Sequence, residues 1–133
     1  MHVADLLSKR ALLTPARLAL VVQHDGMRYT YAELNARASR CANMLRDQCG
    51  VKKGDRVAIL AHNGIAFVDL LYGLAKIGAV FTPLNWRLTS RELSYIIEDA
   101  QPKVLICSPE FTGVLAEIRA GQGASSSTYP EVF

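Results

Sequence analysis

Three short segments of the chain are apolar at nearly every position: Val57-Ala58-Ile59-Leu60-Ala61, Ala79-Val80-Phe81-Thr82 and Val104-Leu105-Ile106-Cys107. Helix-length stretches separate them. A strand with one wet face alternates apolar and polar residues, whereas a strand covered on both faces is apolar throughout, so these segments read as buried parallel strands joined by crossover helices. The order from Val57 is β-α-β-α-β-α, with right-handed connections expected. The fold class is therefore α/β: a layered, mainly parallel sheet with crossover helices. Ligands of such sheets gather outside the carboxyl ends of the strands. That rule puts His62-Asn63-Gly64, Pro83-Leu84-Asn85-Trp86-Arg87 and Ser108-Pro109 on the edge where function is expected.

Capping chemistry places the helices. Thr30-Tyr31-Ala32-Glu33 and Thr89-Ser90-Arg91-Glu92 each have the spacing of a capping box. The first opens a helix to about Gln48, with Leu34, Ala38, Cys41 and Leu45 as its apolar stripe. Glu33, Arg37, Arg40 and Asp47 then lie on a wet face, with Glu33 and Arg37 as an i,i+4 pair. A helix starting at Asn63 or Gly64 and running through Ile77 is apolar nearly all round, so it needs burial on more than one side. Asp69 and Lys76 leave it a narrow polar strip, Gly73 permits a close helix contact, and Gly78 fits a C′ cap. Leu93, Ile96, Ile97 and Ala100 form the stripe of the next helix, closed by Pro102. Ser108-Pro109 reads as an N-cap with proline at N1, opening a last helix to about Arg119 whose apolar face is Phe111, Val114, Leu115 and Ile118.

Ahead of the sheet, residues 3–13 predict a helix with Leu6, Leu7, Leu12 and Leu13 near one face. Leu18 to Val22 and Met27 to Thr30 flank His24-Asp25-Gly26 as a hairpin. The expected organisation is one α/β region over 1–120, including the 18–30 hairpin, followed by a flexible or truncated tail over 121–133.

Composition narrows the function classes. Hydrophobic residues make up 50% and charged residues 20% of the chain, which excludes intrinsic disorder. The net charge is +3 and no basic run exceeds the pairs Lys9-Arg10 and Lys52-Lys53, so no nucleic-acid partner is expected. Cys41, Cys49 and Cys107 have no metal-ligand spacing and are an odd number, which favours reduced thiols in a cytoplasmic protein. His2, His24 and His62 are too scattered to propose a metal site. Basic residues follow the first apolar run where a secretory signal would have them in front. Asp69 and Lys76 break the apolar stretch from Ile65 to Phe81, so no transmembrane segment is expected.

The candidate chemistry is sparse. There is no Gly-x-x-x-x-Gly-Lys-Ser/Thr and no Gly-x-Gly-x-x-Gly after a strand, and Lys52-Lys53-Gly54-Asp55 reads as a turn. Glu92 is committed to a cap, Glu98 and Asp99 face water, and Ser108 lacks both a histidine base and the nucleophile-elbow pattern. No catalytic residue and no metal ligand is expected. Arg87 is the polar lead: it follows a strand end, and its guanidinium can grip a phosphate or carboxylate bidentately. Trp86 either covers a ligand or seals the loop.

One resemblance draws these pieces together. Tyr29-Thr30-Tyr31-Ala32-Glu33-Leu34-Asn35, Gly54-Asp55-Arg56-Val57-Ala58-Ile59-Leu60, Asn63-Gly64, Gly78-Ala79-Val80-Phe81-Thr82-Pro83-Leu84-Asn85-Trp86-Arg87-Leu88 and Glu92-Leu93 occur in the order found in adenylate-forming acyl-CoA synthetases. About residues 3–118 resemble the N-terminal part of the large AMP-binding domain of that family. The resemblance implies a parent enzyme of fatty acid metabolism, a ligase that activates a carboxylic acid with MgATP as an acyl-adenylate and transfers it to the thiol of coenzyme A. It implies ATP, magnesium and coenzyme A as the parent's cofactors, with none held tightly by this stretch. The family's phosphate loop, nucleotide contacts, acyl pocket and adenylation lysine lie beyond the matched region, and Ser125-Ser126-Ser127-Thr128 lacks the glycines and lysine of that loop. Arg87 matches an arginine that approaches a phosphate of coenzyme A in some members, while Asn63, Pro83 and Asn85 match positions that shape the sheet edge.

Two alternatives stand beside this reading. The chain could be a small non-catalytic interaction module, covering its 65–77 helix against a partner, the rest of an enzyme or a second copy. A dinucleotide-binding protein is a further alternative, which the missing glycine fingerprint disfavours.

Overall fold

The computed structural model describes residues 5–121 and 131–132. Their elements divide between two compact units, Met1–Gly54 with Asn63–Val80, and Asp55–His62 with Phe81–Phe133.

The first unit contains α1 (Leu6–Leu13), β1 (Leu18–Val21), β2 (Arg28–Thr30), α2 (Tyr31–Asp47) and α3 (Ile65–Ile77). Asp5 caps α1 by accepting the Ser8 N–H at 3.2 Å. Only Leu7 and Ala11 of α1 are buried, one turn apart, while Leu6, Leu12 and Leu13 are exposed. Four leucines do not share one face because they fall around the helix, and the i,i+4 pair takes the core. β1 and β2 pair antiparallel, as the hairpin reading requires, with Gly26 at a φ of 71° in the turn. A residue other than glycine would be strained there.

Thr30 and Glu33 form the expected capping box: the Glu33 amide donates to Thr30 Oγ1 at 3.3 Å, and the Thr30 amide to Glu33 Oε2 at 2.7 Å. The buried stripe of α2 is Leu34, Ala38, Ala42 and Leu45. Cys41, placed in that stripe by its spacing, is only partly covered and lies under Gly73 of α3. A Cβ on Gly73 would stand 3.1 Å from Cys41 Cβ and 3.2 Å from the Ala38 carbonyl oxygen. Gly73 therefore lets two helix backbones approach, as its position suggested. Gly78 ends α3 in the left-handed region at φ 72°, its N–H donating to Leu74 O.

The wet face expected of α2 holds for Glu33, Arg40 and Asp47, which are exposed, but not for Arg37. Arg37 does not pair with Glu33, whose carboxylate is taken by the cap; it reaches Asp69 of α3, with Nε to Oδ1 at 3.0 Å and Nη2 to Oδ2 at 2.7 Å. Lys76, the other member of the polar strip on α3, is equally engaged. Its ammonium donates to Asp5 at 3.2 Å, Ser8 Oγ at 2.5 Å and Asn35 Oδ1 at 2.7 Å, joining α1, α2 and α3 at one point.

The second unit holds the sheet: β3 (Arg56–Leu60), β4 (Val80–Pro83), β5 (Val104–Cys107) and β6 (Glu131–Val132), ordered β4-β3-β5-β6. β3 and β5 are parallel and in register from Val57 opposite Val104 to Leu60 opposite Cys107. β6 adds a second parallel pairing, Val104 with Glu131 and Leu105 with Val132. A two-residue strand carries no periodicity, so nothing in the sequence signalled it. The rest of the expected tail, 122–130 and 133, lies outside the described residues.

β3 and the first half of β5 are buried as their composition demands, with Val57, Ala58, Ile59, Leu60, Val104 and Leu105 each at most 1% exposed; β4, expected to be equally buried, ends the strand order and leaves Val80 46% exposed. Ala58, Leu60 and Leu105 pack with Leu93 and Ile97 of α4 (Ser90–Ala100) and with Leu115 and Ile118 of α5 (Thr112–Gly121). The capping box of α4 forms as expected, Glu92 accepting the Thr89 amide at 2.8 Å. The last helix does not start as expected. Pro109–Phe111 is a 3₁₀ turn, α5 begins at Thr112, and Ser108 makes no side-chain cap. The Ser108 carbonyl instead accepts the Phe111 N–H at 3.0 Å, and this tighter turn carries Phe111 into the core.

Candidate functional site

The loops after β3, β4 and β5 converge, and backbone bonds fix two of them to the end of β3. The Leu84 N–H donates to Ile59 O at 2.9 Å, and the Ser108 N–H to Leu60 O at 3.0 Å. Leu84 is buried in the core cluster and Leu88 packs against it. Between these anchors Asn85 makes a turn, its Oδ1 accepting the Arg87 N–H at 3.1 Å and its carbonyl oxygen the Leu88 N–H at 3.1 Å. Trp86 and Arg87 thus sit at the tip of a turn held at both ends.

One ring from each loop meets there. His62 lies edge-on to Trp86, with centroids 4.4 Å apart and planes at 71°. Phe111 stands 5.0 Å from His62 and 6.3 Å from Trp86. Phe111 is buried, so the cluster is rooted in the core, while Trp86 keeps 37% of its surface exposed. Such offset and edge contacts are favourable because the positive ring edge meets the negative ring face. The Arg87 guanidinium lies over the indole, 4.8 Å from its centroid. Among the described residues no carboxylate pairs with Arg87, and its exposed fork of five donors suits a phosphate or carboxylate.

The remaining candidates do not join this edge as reactive groups. Cys107 donates to the Ser108 carbonyl oxygen at 3.2 Å, and burial, reinforced by Glu110, pushes its thiol above the ordinary value. Ser94 donates to Glu98 at 3.1 Å, and Ser90 donates to Glu117. Gly54, in the lysine-glycine turn, donates its N–H to Gly78 O at 2.9 Å, so this amide is spent on tying the loop to the end of α3 and not on a phosphate cradle. Among the described residues no three His, Cys, Asp or Glu side chains group to hold a metal ion. None of the helices described is long and apolar enough to cross a membrane.

Strand-end position puts His62, Trp86 and Arg87 on this edge, but Phe111 reads in the sequence only as part of a helix face. The signal available for Phe111 was also position: it follows the parallel strand β5 by a few residues.

Residues 7–130 match the family of AMP-binding enzymes. The chain belongs to that family. Its AMP-binding relatives include a long-chain-fatty-acid–CoA ligase of Mycobacterium tuberculosis, 44% identical over 119 residues that make up 90% of this chain and 24% of the ligase. A feruloyl-CoA synthase of Amycolatopsis is 43% identical over 86% of this chain and 23% of its own length. Among solved structures, the N-terminal domain of FACL13 from Mycobacterium tuberculosis superposes with a TM-score of 0.90 at 40% identity, covering 100% of this chain and 34% of that domain. The chain thus spans about a quarter of the length of these curated relatives. It corresponds to the N-terminal part of the AMP-binding domain of an acyl-CoA ligase family member, and membership sets aside the dinucleotide-binding alternative.

Proposed function

We propose that the chain is the N-terminal segment of an acid–thiol ligase that couples a carboxylic acid to coenzyme A through an acyl-adenylate, and that the 133 residues by themselves do not catalyse turnover. The family match over residues 7–130 carries this reading. It is supported by relatives named for different acids but one thiol, among them a crotonobetaine/carnitine–CoA ligase.

A carboxylate resists thiol attack because its charge is delocalised and its oxygen leaves poorly. In adenylation a carboxylate oxygen keeps its bond to carbon and forms a new one to the α-phosphorus of ATP, as the bond from that phosphorus to pyrophosphate breaks and pyrophosphate leaves. The thiolate then forms the C–S bond as AMP departs. ATP and magnesium supply phosphate chemistry that the described residues do not fit, since they offer neither a glycine-amide cradle nor grouped metal ligands. What this segment contributes is the sheet that positions Arg87, whose guanidinium receives a phosphate of coenzyme A. Cys41, Cys49 and Cys107, none of them in a disulfide, fit a reducing, cytoplasmic setting.

The test is replacement. The matched stretch of the Mycobacterium tuberculosis ligase is exchanged for this chain, and acid-dependent pyrophosphate release and acyl-CoA formation are measured. The expected result is both activities in the chimera and neither in the isolated chain. A folded chimera that makes no adenylate, or thioester formed by the chain alone, overturns the reading.

A further inference from the structure

The tip of the β4–α4 loop combines features that exposed turns rarely combine. Trp86 and Arg87 are both exposed, yet the indole is braced by His62 on its edge at 4.4 Å and lies within 6.3 Å of the core residue Phe111. The turn backbone is pinned by Leu84, Asn85 and Leu88. An arginine on a free loop samples many rotamers, and ordering it on a ligand costs entropy. Here the guanidinium is laid on an indole that cannot swing away, and its donors stay open because an arene, unlike a carboxylate, occupies the face of the guanidinium and not its N–H groups.

We infer that Trp86, held by His62 and Phe111, is a positioning residue that pre-orders the Arg87 guanidinium for an incoming phosphate. This rests on the reading of Arg87 as a phosphate ligand, and goes beyond it by assigning work to the three rings that meet under its guanidinium. His62 acts on the indole, and the indole acts on the guanidinium.

The chain has one tryptophan, so its fluorescence reports this site alone. The experiment uses the 133-residue chain and has two readouts. The first needs no ligand: the Arg87 Nε–Hε resonance by ¹⁵N NMR, which lies upfield when the guanidinium sits over a ring. Trp86→Leu should return it to the position of exposed arginines and Trp86→Phe should leave it between. His62→Ala should move it partway and lower the fluorescence anisotropy of Trp86. The second is titration with adenosine 3′,5′-bisphosphate, which carries purine and phosphates, with inorganic phosphate and adenosine as separate arms. Trp86→Leu should weaken the bisphosphate by about two- to fivefold, the range of an exposed cation–π contact, and Trp86→Phe by less.

An Arg87 resonance unchanged in folded Trp86→Leu overturns the positioning role. Should Trp86→Leu not fold, Trp86→Phe and His62→Ala decide it by the same resonance. A resonance that moves as expected in a chain that never responds to bisphosphate or phosphate upholds the positioning and refutes the phosphate reading.

Discussion

Arg37 and Asp69 face each other across two parallel hydrogen bonds of 3.0 and 2.7 Å, one residue on α2 and one on α3, thirty-two positions apart. The pair is partly covered, with 31% of the arginine side chain and 17% of the aspartate exposed. Tyr29 lies 5.3 Å from the same guanidinium. The hydrogen bonds that Arg37 donates to Asp69 outweigh burial and raise the Arg37 pKa above its ordinary value. This fork fixes how α2 and α3 meet beside the close contact at Gly73.

Breaking one side of this pair should cost more than removing both. Arg37→Met or Asp69→Leu alone is expected to destabilise the chain by about 1.5–3 kcal/mol, because each leaves a charged partner without its hydrogen bonds. The double variant should cost less than the sum. Urea unfolding of the four proteins measures the coupling; strict additivity would show that the pair contributes nothing.

Acid should loosen α1. Burial raises the Asp5 carboxyl, but bonds from Ser8 and Lys76 outweigh it and leave it below its ordinary value of 3.8. A carboxyl lowered in the folded state adds stability that is complete above the unfolded value and is lost as pH falls through the folded one. Asp5→Asn keeps an N-cap oxygen but removes the charge facing Lys76. Its stability deficit should be present at pH 6 and vanish at the acid end of a pH series of urea midpoints. A deficit independent of pH would contradict the assignment.

Gly73→Ala tests the helix contact. The methyl gains helix propensity of about 1 kcal/mol. It also meets Cys41 at 3.1 Å and a backbone oxygen at 3.2 Å. Overpacking of this kind costs about 1–3 kcal/mol, so net destabilisation is expected. A rise in the thermal midpoint would mean that α2 and α3 part at little cost.

Cys41 should be inert in the folded chain. Burial, with smaller contributions from Asp69 and Cys49, pushes its thiol up to about 11 from 9.0. Two pH units mean about a hundredfold less thiolate at pH 8. With Cys49 and Cys107 replaced by alanine, reaction with a chromogenic disulfide should be slow until urea unfolds the chain. Equal rates in both states would refute this.

What one element encodes by itself was legible in the chain: the buried strands β3 and β5 from uniform apolarity, both capping boxes from a four-residue spacing, the Gly78 cap and the hairpin turn. These depend on contacts a few residues apart. The fates of Arg37, Asp69 and Lys76 were not, because a charged side chain on a helix face has the same local pattern whether it meets water or another helix. Glu33 shows the limit well: it had two plausible partners, Thr30 and Arg37, and the cap took it.

The α/β class, most of the elements and the edge that carries His62, Trp86 and Arg87 follow from the chain alone, since periodicity, capping and strand order are local properties. That His62 and Phe111 join Trp86 beneath Arg87, and that Lys76 ties together three helices, came only with folding. Those contacts link residues dozens of positions apart, and what selects them is packing and desolvation once the elements have come together.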